Sequence, residues 1–280
     1  MPRMAAVRRS KPSQTMTLVQ QIFQSSLGRK YIAALTGAGL FVFLIGHLAG
    51  NLQVFGPPDL INGYAHFLKS KPLMVWAARL GLLAFVGLHI YAVISLAIES
   101  KAARPVAYSG GTAYGSAWRS RYMLVSGLVI LAFVVYHLAH FTALLPGING
   151  FGDFSKLKTE LKDAGEVPDV YAMMVLGFRV WWVTLFYLIA QALLFIHLGH
   201  GLSAMFQSLG LRNHAWWPRI QIFAKVFSTA LLIGYISIPI AITLGLGREY
   251  SDNAKTKLNM PLGMVETQTP LVALSQEEAK

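Results

Sequence analysis

The sequence predicts an all-α integral membrane protein, one bundle of five transmembrane helices, and three observations carry that prediction. Only 13% of the 280 residues are charged and 55% are hydrophobic, where a soluble domain carries about 25% charge. The charge is excluded from five long stretches. Four of those stretches each hold a histidine at depth: His47, His89, His137 and His197.

The spans are expected at about 31–55, 73–98, 122–145, 178–207 and 226–247. The first lies within 28 uncharged residues, Tyr31 to Pro58. Leu73–Ile98 contains only Arg79, Tyr122–Leu145 and Val180–Gln207 contain no charge, and Val226–Gly247 sits between Lys225 and Arg248. Each reaches the roughly 20 residues that cross a hydrocarbon core of about 30 Å. Residues 1–25 read as an inner tail with a short interfacial helix near Thr17–Phe23, and the span that follows is too long for a signal peptide. Residues 26–247 form the membrane domain. The segment 102–118 reads as a connection, 148–170 as a polar loop with a short helix, and 248–280 as a tail without periodicity.

With the N-terminus inside, the segments 1–30, 99–121 and 208–225 hold 13 Lys/Arg and one acid, Glu99. The other 11 Lys/Arg and 11 acids fall in a longer outer total, so the density of Lys/Arg favours this orientation. The net charge of +12 therefore lies on the inner face. That placement argues against a nucleic-acid partner and suits an acidic surface of a soluble protein. The absence of cysteine excludes disulfides, thiolate iron–sulfur clusters and c-type haem attachment.

An imidazole in hydrocarbon is costly unless something satisfies it. At about 1.5 Å per residue, His47 and His137 lie roughly 25 Å beyond Lys30 and Arg121, while His89 and His197 lie about 15 Å short of Glu99 and Gln207. Two pairs at two depths, each from two helices, is what two stacked bis-histidine haems require, His47 with His137 nearer the outer face and His89 with His197 nearer the inner. Neutral imidazole is a common metal ligand. Gly46, Gly50, Gly87, Gly199 and Gly201 beside the histidines would let a flat macrocycle approach backbone, though Gly46-x-x-x-Gly50 is also a helix-packing pattern. Carboxylate di-iron sites need inward Glu, and the five span cores have none. Zinc wants three or four ligands at one depth. His140 and His200, three residues after a proposed ligand, are rival ligands or propionate partners.

These residues resemble a known family. The stretches 28-GRKYIAALTGAGLFVFLIGHLAGNLQVF-55, 61-INGYAHFL-68, 88-LHIY-91, 136-YHLAHF-141 and 196-IHLGHGLSAMFQSLG-210 are similar to the single-chain, five-helix, di-haem cytochrome b anchor of succinate:quinone oxidoreductases. The resemblance covers about residues 25–245. It implies two b haems, distal on His47 and His137, proximal on His89 and His197, with the first histidine of the fourth-span motif as ligand. It implies flavoprotein and iron–sulfur partner subunits on the cytoplasmic face of a bacterial inner membrane, with succinate oxidised on the flavoprotein and electrons passing through the haems to a quinone, in such members menaquinone. Phe195 stands where some fumarate-reducing members carry a Glu used for proton transfer, which favours succinate oxidation. Quinone reduction needs proton donors; Asp59, Asn62 and His66 in the first outer loop are the candidates. Arg79, Arg121 and Arg179, near helix ends, are candidates for the propionates.

Two other readings remain open. One is the di-haem cytochrome b of another respiratory complex, of hydrogenase or formate dehydrogenase type. The other is a haem-free transporter whose histidines relay protons.

Overall fold

The structure is a computed structural model describing residues 17–103, 117–150 and 152–257, with backbone only for 117–121, Lys255 and Lys257. The inner tail before Thr17, most of the 102–118 connection, the outer tail after Lys257 and the side chain of Arg121 lie outside the described residues.

Local sequence sets each helix start. Thr17 and Gln20 cap each other reciprocally to open α1 (Leu18–Gln24), the short helix expected there. Ser25 then caps α2 (Ser26–Asn51), its hydroxyl accepting from the Gly28 N–H at 3.0 Å. A 3-10 turn, Leu52–Phe55, leads to α3 (Pro58–Lys69). Proline at the first helical position opens both α3 and α4 (Pro72–Ala102). α5 (Ala117–Phe141) follows. Then come the hairpin strands β1 (Lys158–Leu161) and β2 (Gly165–Pro168), α6 (Val170–Phe178), α7 (Trp181–Ser208), α8 (Trp217–Thr243) and α9 (Arg248–Lys257). Five of these, α2, α4, α5, α7 and α8, are long and apolar enough to cross a membrane.

Four details differ from the sequence reading. The first outer loop is largely α3, so Asp59, Asn62 and His66 are helical. The 148–170 loop holds a short helix only as a three-residue 3-10 turn, Phe154–Lys156, and adds an antiparallel hairpin, with Lys158 opposite Pro168 and Leu161 opposite Gly165; Gly165 adopts φ +65°, which the tight turn requires. The chain breaks between Phe178 and Trp181, so the fourth span starts at Trp181 and the apolar residues before it form the separate buried helix α6. Finally, α8 begins at Trp217, nine residues before the expected start at 226, and residues 248–257 are helix rather than tail.

Backbone contacts run α4–α2–α7–α5 around a ring, α4 touching α5 only lightly, while α8 lies against α7 and α2. Among the described residues the two diagonals, α2 with α5 and α4 with α7, make at most light backbone contact. α4 has a single buried residue, Ala92. Dense packing is concentrated at one end. There α3, the hairpin, α6 and α9 form a cap, whose core includes Ile61, Tyr171, Met174, Phe178 and Ile242, with Phe154, Leu157 and Leu176 beside it. The residues of α6 from Tyr171 to Phe178 are all buried. A third cluster, Phe41, Leu48, Leu202, Ala224 and Leu231, joins α2, α7 and α8. At the opposite, open end, Glu99 of α4 accepts from Arg29 at 2.7 Å and Ser26 at 2.5 Å, tying α2 to α4. Tyr91 donates to Phe23 O at 3.1 Å and holds α1.

Candidate cofactor site

The four span histidines come from the two diagonals: His47 on α2 with His137 on α5, His89 on α4 with His197 on α7. A group bridging either pair would stand on the bundle axis. The His47 and His137 rings have centroids 5.6 Å apart and lie edge to face at 88°. Metal–nitrogen bonds of about 2 Å put two trans imidazole centres roughly 6 Å apart. His89 and His197 are close enough to interact electrostatically. All four histidines are half-buried.

Hydrogen bonds fix the inner faces of these rings. His89 Nδ1 lies 3.1 Å from both Ala33 O and Thr36 Oγ1. A carbonyl only accepts, and the Thr36 hydroxyl already donates to Ile32 O at 2.6 Å, so Nδ1 carries the proton. His197 Nδ1 lies 3.1 Å from Ser126 Oγ, which also lies 3.1 Å from Met123 O. His89 therefore leaves Nε2 as an unprotonated lone pair, and His197 does the same when the serine proton is on Met123 O. This is the arrangement that ligating histidines adopt when the other nitrogen is held by a partner. Behind each ring lies a glycine: a Cβ on Gly37 would stand 3.3 Å from His89 Cε1, and one on Gly127 3.3 Å from His197 Cε1.

The other pair is held differently. Phe43 stacks on His47 at 5.2 Å, and the Tyr235 ring lies 6.3 Å away. The Tyr187 hydroxyl is shared, 3.2 Å from His137 Nδ1 and 3.1 Å from His140 Nδ1. Having one proton, it donates to one imidazole and accepts from the other.

The rivals are placed as follows. His140 is fully enclosed, stacked on Phe141 at 4.0 Å, and its Nε2 has no hydrogen-bond partner. A Cβ on Gly177 would lie 3.0 Å from that nitrogen, so no flat group reaches it. His200 is half-buried one turn beyond His197.

Of the flanking glycines, Gly46, Gly87 and Gly201 face open space, with nothing within 4 Å of an added Cβ. Gly50 instead meets the Tyr64 ring of α3 at 2.9 Å, so it serves cap packing. As donors, paired imidazoles with small residues beside them would suit a metal held in a flat macrocycle. Among the described residues no three His, Asp or Glu side chains cluster as around a single metal ion.

The remaining candidates lie at the cap. Asn62 is completely buried; it donates to Asp169 Oδ1 at 3.1 Å and accepts from the Tyr171 N–H at 3.0 Å. Asp169 also accepts from the Ala172 N–H at 3.0 Å and the Tyr250 hydroxyl at 2.8 Å. Asp59 and His66 are exposed on α3. Arg179 is engaged by Asp252 at 2.9 Å and Ser251 at 2.5 Å, pinning α9. Arg79 is exposed over the Trp76 ring at 5.1 Å. Burial, then the neighbouring Lys158 and Arg79, hold the Lys69 ammonium below the usual lysine range.

Sequence reasoning missed Thr36, Ser126, Gly37, Gly127 and Tyr187. A signal existed for the first four. The stretch 36-TGAGLFVFLIGH-47 repeats as 126-SGLVILAFVVYH-137: a hydroxyl and a glycine, then Phe and His at matching places. No family model, curated protein or solved structure matches the chain.

Proposed function

We propose that this chain is the membrane anchor and electron-transfer subunit of a succinate:quinone oxidoreductase, holding two b haems, on His47 with His137 and on His89 with His197. In that reading the cap end faces outward and the basic open end meets the flavoprotein and iron–sulfur subunits at the cytoplasmic face. When bound, the haems would supply two one-electron stations between those partners and a membrane quinone, menaquinone by the resemblance. Succinate oxidation itself belongs to the partner chain. The chain's own part is to hold the imidazoles in the neutral form, present Nε2 and exclude water.

The observation that carries the reading is the pairing of histidines across both diagonals of the ring. Packing alone gives no reason to point four imidazoles at a gap. A pyridine haemochrome assay on the purified chain tests it: about two b haems per chain are expected. In the assembled complex, reduced-minus-oxidised spectra that respond to succinate separate this function from a hydrogenase or formate dehydrogenase cytochrome. One observation favours a second reading, a haem-free proton relay: the continuous chain His137–Tyr187–His140. A colourless protein would leave that reading standing.

A further inference from the structure

The repeated stretches place a hydroxyl eleven residues before a histidine on both α2 and α5. Eleven residues are close to three helical turns, so Thr36 shares a face with His47, and Ser126 with His137. Each helix thus offers a ligand to the cap-side pair and a hydroxyl to the other pair. The two hydroxyls do the same work. Each lies within hydrogen-bond distance of a carbonyl of its own helix, Ile32 O or Met123 O, and of Nδ1 of an imidazole on the next span. The adjacent glycine lets that ring come close. The cap-side pair has no such symmetry, since His137 meets a tyrosine and His47 an aromatic stack.

We infer that Thr36 and Ser126 are equivalent positioning residues for the His89–His197 site, fixing both rings as Nδ1–H donors and setting the electron richness of that site alone. The inference rests on the haem reading above. A hydrogen bond from Nδ1–H raises the basicity of the ligating nitrogen and so favours the oxidised iron. Losing it shifts the one-electron equilibrium towards reduction. His89 keeps Ala33 O when Thr36 is removed, whereas Ser126 is the Nδ1 partner of His197. The two substitutions should therefore differ in size but agree in sign.

The test is a potentiometric titration of purified wild type, S126A, T36V and the conservative S126T, with haem content measured in each. Expected are retention of both haems and an upward shift in the midpoint of one component in S126A. T36V should shift the same component by less, and S126T should restore wild-type behaviour. Wild-type titration curves in S126A and T36V, or a shift of the other component, overturn the inference and leave the haem reading intact. Loss of haem from S126A is judged on T36V and S126T: it supports the inference if T36V shifts upward and S126T is normal, and sinks it otherwise. A colourless wild type sinks both.

Discussion

The Tyr187 hydroxyl stands between two imidazoles, 3.2 Å from His137 Nδ1 and 3.1 Å from His140 Nδ1. One imidazole donates to the tyrosine oxygen and the other accepts its proton. Y187F removes one oxygen and strands two ring nitrogens in a buried cluster. Stranded buried groups cost about 1–3 kcal/mol each. Thermal unfolding in detergent should show a clear loss of stability; an unchanged midpoint would mean that the hydroxyl is not shared.

Haem loss should follow the diagonals rather than the number of substitutions. H47A and H89A should each cost one haem. H47A combined with H137A should cost no more than H47A alone, because both rings serve one site. H47A combined with H89A should leave none. Haemochrome stoichiometry reads all four.

Gly46 separates fold from site. Nothing lies within 4 Å of a Cβ there, and alanine is the better helix former by about 1 kcal/mol. G46A should therefore leave the unfolding midpoint level or higher, while reduced haem retention would show that the open space beside His47 is used. G127V is the contrasting case. Its side chain enters the 3.3 Å gap to His197 Cε1, and overpacking of this kind costs about 1–3 kcal/mol.

Asn62 distinguishes a quinone group from a clamp. N62L leaves the buried Tyr171 N–H without its partner, at about 1–3 kcal/mol, and removes one of the three hydrogen bonds to the Asp169 carboxylate. A stability loss without a change in quinone affinity identifies the clamp; the converse identifies a ligand contact.

The cap should weaken in alkali. Burial, with the Asp169 carboxylate beside it, pushes the Tyr250 hydroxyl up to about 12. A group raised in the folded state favours folding below its unfolded value, and that contribution is lost as the pH rises through the folded one. The loss falls between pH 10.0 and about 12. Denaturation followed over that range should show it in wild type and not in Y250F.

The spans were legible because a charge-free run of this length has few other uses. Their ends were less legible. α8 extends back past Lys225 and Arg219, long side chains that can reach a polar boundary from within a helix. The hairpin strands have only four residues each and are rich in charge, so no alternation marks them. α9 offers only Tyr250 and Ala254 to the cap core, beside the Arg179–Asp252 pair at 2.9 Å, too few apolar residues to mark a helix in the sequence. The site's partners escaped for another reason. A threonine or serine in a span is ordinary until its neighbour across the bundle is known.

The cap draws on residues 52–69, 154–178 and 248–257, so it is stitched from segments far apart in the chain. Its last piece, the α9 helix, leaves the ribosome after all five spans. Until then the end nearest His47 and His137 has no finished lid. Closure of that end therefore waits on the final helix, which is its latch.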